Sequence, residues 1–308
     1  MKKYNVFLSI FIVYILLNMI IFPELYIGQA LDGISAWAFN VLPSVLPFIF
    51  FTKILSSLGI IEKFSNLFKK PTKVLFNTPS ISSYVFLTSI ISGYPVGAKM
   101  TADLYESGKI TRSEAYKMTS FCSTSGPMFI IGAVGIGMLK NATYGYIIFL
   151  AHILGALLNG LLYRKLKLNN DGYSSHSIEK KSQQGDLSSI VLDSALSIIS
   201  VGTIIAIFFI VITSLSPLFN LMPSPIACIL EGIVEITRGC IDISSSLSGI
   251  SAILSCTFII SFGGISTILQ SITMLSRLKM PVKLFVLQKL SHAILSTIIA
   301  FVLVLLIL

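Results

Sequence analysis

Charge is what this chain has least of. Only 11% of its 308 residues are charged, while 54% are hydrophobic, and the mean hydropathy is +0.89. A soluble domain carries about 25% charged residues. The composition therefore excludes an ordinary soluble enzyme or binding module and predicts a membrane protein.

Cysteine and histidine are also scarce, at four and three residues. The cysteines form no C-x-x-C pair and lie within or beside apolar stretches, as expected of small buried side chains; they are Cys122, Cys228, Cys240 and Cys256. The chain also lacks H-E-x-x-H, G-x-S-x-G and P-loop motifs. We therefore expect no disulfide, no metal, no cofactor and no enzymatic activity.

Long hydrophobic runs take the place of these absent features. A helix needs about 20 apolar residues to cross a bilayer. The runs that meet or approach this length are Val6–Phe22, Val41–Ile61, Tyr144–Tyr163, Ser188–Leu215 and Leu284–Leu308. The sequence predicts an all-α, polytopic membrane protein.

The net charge of +9 comes from basic clusters between these runs. The clusters are Lys63, Lys69, Lys70 and Lys73, then Arg164, Lys165 and Lys167, then Lys180 and Lys181. Such clusters are typical of cytoplasmic loops rather than of a nucleic-acid-binding face, and lipid headgroup binding is the alternative. The hydrophilic stretch 164–187 is the predicted cytoplasmic linker between a first membrane half, 1–163, and a second, 188–308.

Each half contains a hydrophobic segment broken by small residues. One lies at 80–107 and breaks at 92–97; the other lies at 247–276 and breaks at 261–264. Neither arm of the first segment is long enough to span a bilayer, so we expect a re-entrant helix. Paired broken helices indicate inverted repeats with a substrate site at the breaks.

Superposing Ser92 on Ser261 brings the basic turns that follow the breaks into near register. In that alignment the second basic turn, with Arg277, Lys279 and Lys283, would lie outside the cell. This conflicts with the usual excess of Lys and Arg in cytoplasmic loops.

The first group of candidate site residues surrounds the small-residue breaks. It comprises Ser92, Gly93, Tyr94, Pro95, Gly97, Lys99, Ser125, Gly126, Gly263 and Gly264. We expect Lys99 and neighbouring backbone N–H groups at a half-helix start to face a substrate anion. The alternatives are an interfacial ion pair between Lys99 and Asp103, four residues apart, and glycines that serve only packing.

A second group is acidic. Glu231 and Glu235 lie four residues apart in an apolar segment, where ionisable groups are functional candidates. With Asp103 they are expected to supply polar contacts or coupling to a proton or cation. Pairing with Arg238 or exposure at a helix end is the alternative for the two glutamates. His152 and His292 are expected to be packed and hydrogen-bonded.

Three motifs carry a resemblance to a known family: S-G-Y-P-V-G-A-K at 92–99, G-P-M-F-I-I-G-A-V-G at 126–135 and E-I-T-R-G at 235–239. They resemble the sporulation integral membrane protein YlbJ family, within the nucleoside-recognition Gate domain group. That group is similar to concentrative nucleoside carriers in repeat architecture. One departure is C-S-T-S at 122–125, where an asparagine-containing variant is expected.

The resemblance implies a transporter of endospore formers, made in the mother cell and inserted in the outer forespore membrane. Its implied substrate is dipicolinic acid, a flat dianion suited to half-helix starts and Lys99. The alternatives are a nucleoside carrier and a non-transporting membrane scaffold of a sporulation complex. The expected partners are a small anion, the lipid bilayer, a coupling proton or cation and, left open, a second copy of the chain; nucleic acid is not expected.

Overall fold

The computed structural model describes residues 3–168 and 186–308, and within these ranges it contains helices and turns but no strand. Most of the predicted linker, 169–185, lies outside the described residues, as do Lys180 and Lys181. The α-helices of the first half are α1 (Lys3–Ile21), α2 (Pro23–Ala36), α3 (Leu42–Ser57), α4 (Ile60–Ser65), α5 (Lys69–Phe76), α6 (Ser82–Ser92), α7 (Val96–Glu106), α8 (Arg112–Thr119) and α9 (Ala142–Tyr163). Those of the second half are α10 (Leu187–Phe219), α11 (Ser224–Val234), α12 (Ile236–Ser246), α13 (Gly249–Phe262), α14 (Gly264–Met274) and α15 (Val282–Ile307). Two π-helical segments occur at Trp37–Val41 and Met128–Met138, and two 3₁₀ turns at Asn66–Phe68 and Ser276–Leu278.

Within the described ranges, five helical stretches are long and apolar enough to cross a membrane. They are Pro23–Ser57, Ala142–Tyr163, Leu187–Phe219, Gly249–Met274 and Val282–Ile307. The all-α, multi-span class predicted from composition is confirmed. The predicted run at 41–61 proves to be the second part of a longer helical stretch that starts at Pro23.

The first broken segment forms a hairpin of two short helices. α6 and α7 contain 11 residues each, so each is about 16 Å long, too short for the roughly 30 Å hydrocarbon core. The chain enters near Asn77, whose carbonyl accepts from Lys117, and leaves at Glu106, which pairs with Arg277 at 2.9 Å. Both ends lie among basic residues at one end of the molecule, so the hairpin is re-entrant.

The second half repeats this order of elements. α11 and α12, again 11 residues each, are broken at Glu235; α13 and α14 are broken at Gly263; α15 is the long helix that follows. In the first half, the α6–α7 hairpin precedes α8 and the π-helix Met128–Met138, which are separated by the unwound segment 120–127, and then α9. The hairpin α11–α12 therefore corresponds to α6–α7, and α13–α14 corresponds to α8 and its π-helix.

This order corrects the alignment of Ser92 on Ser261. The break at Gly263 corresponds to the unwound segment 120–127 instead. Small-residue breaks of similar length look alike in sequence, and the low identity between the halves offers no way to tell them apart.

The corrected order also settles the position of the second basic turn. Lys279 accepts a hydrogen bond at its carbonyl from the Tyr116 hydroxyl, at 2.9 Å, and Arg277 pairs with Glu106. Arg164 donates to the carbonyl of Val74 at the same end. The alignment that would place Arg277, Lys279 and Lys283 at the opposite end from the first basic turn is therefore incorrect, and one shared basic end agrees with the usual charge asymmetry.

Small residues allow the central helices to approach closely. A Cβ atom on Gly135 of the π-helix would lie 2.6 Å from the Cα of Gly145 in α9. On the other side of α9, a Cβ on Gly155 would lie 2.0 Å from the hydroxyl oxygen of Ser296 in α15. α9 is thus held between the π-helix and α15, by the small-residue packing common in membrane helices. The four cysteines are buried and free.

Candidate functional site

A cavity of about 100 Å³ lies where the helix breaks of both halves meet. Its polar wall comes from the breaks and from α14: Ser92, Gly93, Tyr94, Ser125, Gly126, Glu235, Thr237, Ser266, Thr267 and Gln270. Its apolar wall comes from α3, the turn before it and α10, with Val41, Val45, Phe48, Ile49, Val201, Ile204 and Ile205. Such a cavity, mostly apolar with a few convergent polar groups, is the usual form of a small-molecule site.

Glycines allow the breaks to touch. A Cβ on Gly93, which has φ of +75°, would lie 2.8 Å from the backbone nitrogen of Gly126. In the second half, Gly264 has φ of +61°, and a Cβ there would lie 3.2 Å from the Ile236 side chain. In each half, the break of the hairpin therefore abuts the break of the next helix. Any other residue at Gly93 would combine backbone strain with a clash.

Several helices start close to this cavity: α7, the π-helix at 128–138 and α14 each begin within two residues of a residue that lines it. Within the described ranges, these three helices have no side-chain cap. α12 differs because Glu235 accepts the backbone N–H of Arg238 at 2.8 Å. The helix dipoles favour an anion near the first three starts, whereas the fourth already has its carboxylate.

Glu235 is the carboxylate of the cavity wall. Its side chain is 3% exposed and caps α12. The predicted alternative of pairing with Arg238 does not hold for the guanidinium, which forms its ion pair with Asp242 at 2.7 Å. Glu235 also accepts hydrogen bonds from the backbone N–H groups of Ile236 and Thr237 and from the Thr237 hydroxyl, so its carboxylate is held at the cavity wall.

Glu231 lies behind the cavity rather than in its wall. Its carboxyl group hydrogen-bonds to that of Asp242 and lies close to Arg238. Two carboxyl groups can share a hydrogen bond only when one of them holds a proton. The cluster is thus suited to proton binding but has no direct contact with the cavity.

Lys99 does not face the cavity, contrary to expectation. The buried face of α7 is formed by Gly97, Ala98, Thr101, Ala102 and Tyr105, and Lys99 projects from another side and is exposed. Asp103, one turn later, is half-buried and also outside the cavity wall. The sequence placed Lys99 correctly at a half-helix start, but the rotation of the helix depends on tertiary packing.

The cavity wall also does not include Pro95, Gly97, Gly263 and Gly264. Gly97 and Gly263 instead make room for neighbouring groups. A Cβ on Gly97 would lie 1.7 Å from the carbonyl oxygen of Cys122. A Cβ on Gly263 would lie 3.2 Å from the Cε atom of Lys289 and 3.3 Å from the Tyr94 hydroxyl. These glycines support the site by allowing close packing.

Side chains from α9 and α15 hold the unwound segment 120–127 and the end of α8. Asn159 donates to the carbonyl of Ser120 at 2.7 Å, and Gln288 to that of Tyr116 at 2.8 Å. His152 accepts the N–H of Ser125 at 2.9 Å. Non-helical backbone at membrane depth is tolerated only where protein groups or a cavity satisfy it, and these side chains provide that.

Lys289 is the functional candidate that the sequence reasoning missed. It is 2% exposed and donates to the carbonyl of Ser123 at 2.8 Å and to the hydroxyl of Tyr94 in the cavity wall. A signal was present: Lys289 stands in the polar group Q-K-L-S-H at 288–292, about 10 Å into the last apolar span. Its nearness to the start of that span made it resemble an interfacial lysine.

Comparison with known proteins agrees with this fold. Residues 38–142 match the family model Gate, described as nucleoside recognition, and this range contains the first hairpin and the unwound segment. The chain is 34% identical over 165 residues to the sporulation integral membrane protein YlbJ of Bacillus subtilis (strain 168). That alignment covers 53% of this chain and 40% of the relative. The likeness drawn from the three motifs is confirmed.

A solved structure extends the comparison to nearly the whole chain. CNTnw, a concentrative nucleoside transporter captured in an outward-facing state, superposes with a TM-score of 0.64. The match covers 98% of this chain and 85% of that one. At 15% identity the likeness concerns the fold alone, which is that of a helical membrane protein.

Proposed function

We propose that this protein is a membrane carrier for a small organic anion, with dipicolinic acid as the favoured substrate. The observation that carries the proposal is the cavity at the breaks, close to which α7, the π-helix and α14 start without a side-chain cap among the described residues. Half-helix starts at the midplane are where transporters of this general design bind anionic groups. A flat dicarboxylate also suits the apolar wall formed by α3 and α10.

Similarity to YlbJ supports a role in sporulation. It also supports the outer forespore membrane, which the mother cell supplies with proteins, as the membrane in which this protein acts. Since the alignment spans 40% of that relative, this assignment is a proposal for the present chain. The Gate match and the transporter-like fold favour a carrier over a passive scaffold.

A nucleoside carrier is the second candidate, and Glu235 is the observation that favours it. A buried carboxylate beside Thr237 and Gln270 offers acceptors for the hydroxyl groups of a neutral solute. The same groups disfavour an anion placed close to Glu235. The two candidates therefore differ in which part of the cavity dominates binding.

Uptake into proteoliposomes tests the proposal. Purified protein is reconstituted, and entry of radiolabelled dipicolinate and uridine is compared with entry into empty vesicles. We expect dipicolinate uptake that saturates and is inhibited by unlabelled dipicolinate. Uridine uptake without dipicolinate uptake would establish the second candidate, and uptake of neither solute would favour the scaffold.

Coupling to protons is assigned to Glu231. Its hydrogen bond with Asp242 requires a proton, and Arg238 balances the remaining charge. The variant Glu231→Gln keeps the hydrogen bond but cannot release the proton. We expect uptake by this variant to stop responding to an imposed pH gradient, while exchange of labelled for unlabelled substrate continues. The exposed Glu24, changed to Gln, is the matched control, and an unchanged gradient response in Glu231→Gln would exclude Glu231 from coupling.

A further inference from the structure

The side chain of Lys289 is an amine in the interior of the protein, 2% exposed. Its nitrogen donates to the Ser123 carbonyl and to the Tyr94 hydroxyl and lies 3.4 Å from Nδ1 of His292. Its polar partners are thus neutral groups of the protein. Among residues 3–168 and 186–308, no carboxylate forms a salt bridge with it.

The neighbouring histidines bring no negative charge to this amine. His292 donates from Nε2 to the carbonyl of His152 at 2.9 Å, so its Nδ1 is free to accept from Lys289. His152 accepts the Ser125 N–H at Nε2 and therefore donates from Nδ1 to the hydroxyl oxygen of Ser261. Both rings are neutral in this arrangement.

The charged form of a buried amine is costly unless a negative group lies close to it. Tyr94 links this amine to the cavity: the Lys289 nitrogen lies 4.6 Å from the centre of the Tyr94 ring, and Tyr94 lines the wall. The absence of a Cβ at Gly263 leaves the room in which the lysine and the tyrosine meet. A ligand in the cavity is therefore well placed to bring the missing negative charge.

We propose that Lys289 determines the charge specificity of the cavity, because a solute carboxylate on the Tyr94 side stabilises the positively charged form of this buried amine. The solute carboxylate binds on the side of Tyr94. A neutral hydrogen-bond donor of the solute binds on the opposite side, at Glu235 in the second hairpin. This inference rests on the proposed carrier function and names the residue that gives it anion selectivity. That residue lies in the second half, on α15, rather than at Lys99.

A pair of probes with one shape and different charge tests this assignment. Pyridine-2,6-dicarboxylate and its neutral diamide, pyridine-2,6-dicarboxamide, are offered to proteoliposomes, and the ratio of their uptake efficiencies is the readout. We expect wild-type protein to prefer the dicarboxylate. Lys289→Gln should lower the ratio about tenfold or more, as expected from the loss of one unit charge in a medium of intermediate dielectric constant. Lys289→Arg should retain most of the preference, and Lys99→Gln, on the exposed side of α7, should retain all of it.

Each outcome decides between the possibilities. An unchanged ratio in Lys289→Gln, or an equal loss of both probes, overturns the assignment, because a purely structural lysine would affect both solutes alike. If Lys289→Gln does not accumulate in the membrane, Tyr94→Phe decides: loss of the hydroxyl should lower the same ratio, and an unchanged ratio overturns the proposal. Wild-type vesicles that transport neither probe, or both equally, would instead refute the anion carrier itself.

Discussion

Gly97→Ala should lower the amount of this protein in the membrane more than any other Gly→Ala substitution that is tested. The new Cβ would lie 1.7 Å from the carbonyl oxygen of Cys122 and 2.8 Å from the Cβ atom of Ser89. The first is a backbone atom within the unwound segment 120–127, so it cannot move aside without disturbing the breaks. Overpacking a tight core costs about 1–3 kcal/mol, which corresponds to a fall in Tm of about 1.5–5 °C for a chain of this size.

Thermal unfolding in detergent and membrane abundance measure this effect. Gly28→Ala is the matched control, because a Cβ there would have nothing within 4 Å. We expect the control to match wild type in both measurements. Equal Tm values for Gly97→Ala and Gly28→Ala would show that α7 does not pack against Cys122 as described.

Glu235→Ala should abolish transport while leaving a detectable folded protein. The substitution removes the carboxylate from the cavity wall and the cap of α12 together, and loss of such a cap costs about 0.5–2 kcal/mol. Glu235→Gln separates the two roles, because the amide oxygen still accepts the Arg238 N–H. We expect the Gln variant to keep near-normal stability and to lose about tenfold or more of the uptake of a solute that donates a hydrogen bond to Glu235, such as uridine, as a lost charge-assisted hydrogen bond would cause.

Uptake and Tm are measured side by side for both variants. Glu106→Gln makes the same change at the basic end of the molecule, where its pair with Arg277 is largely exposed and contributes about 1 kcal/mol or less. This control should keep full uptake. Normal uptake by Glu235→Gln would remove Glu235 from the binding site and leave it the role of a helix cap.

The helix breaks were predictable because they are local. S-G-Y-P at 92–95 and G-G at 263–264 interrupt apolar runs, and glycine and proline act on the backbone within a few residues. Glu235 was detectable for a different reason: a carboxylate in an apolar segment is rare and needs a purpose. Of the site residues chosen from the sequence, Ser92, Gly93, Tyr94, Ser125, Gly126 and Glu235 line the cavity.

The positive charge of the site was not predictable in the same way. Lys99 and Lys289 both stand near the start of a helix, and the sequence favours Lys99 because glycine breaks precede it. Which lysine faces inward depends on the rotation of α7 and on the contact of α15 with α9. Those contacts join residues more than 100 positions apart, such as Asn159 and Gln288.

The alignment of the two halves failed for a related reason. A break reports that a helix is interrupted, but not which neighbouring break it touches. Gly93 contacts Gly126, and Gly264 contacts Ile236, so each break pairs with another in its own half. Only these contacts show that α11 and α12 correspond to the first hairpin.

The sequence by itself determined that this is an all-α membrane protein with interrupted helices and an acidic residue at a break, because hydropathy, glycine and proline act on the chain locally. The tertiary structure alone decided which breaks form one cavity, that the basic turns share one end, and that Lys289 rather than Lys99 lies behind its wall. These features depend on helix rotation and on contacts between distant segments. Burial of polar side chains determines the helix rotations and these contacts, because a polar side chain can remain in the interior only where neighbouring residues form hydrogen bonds with it.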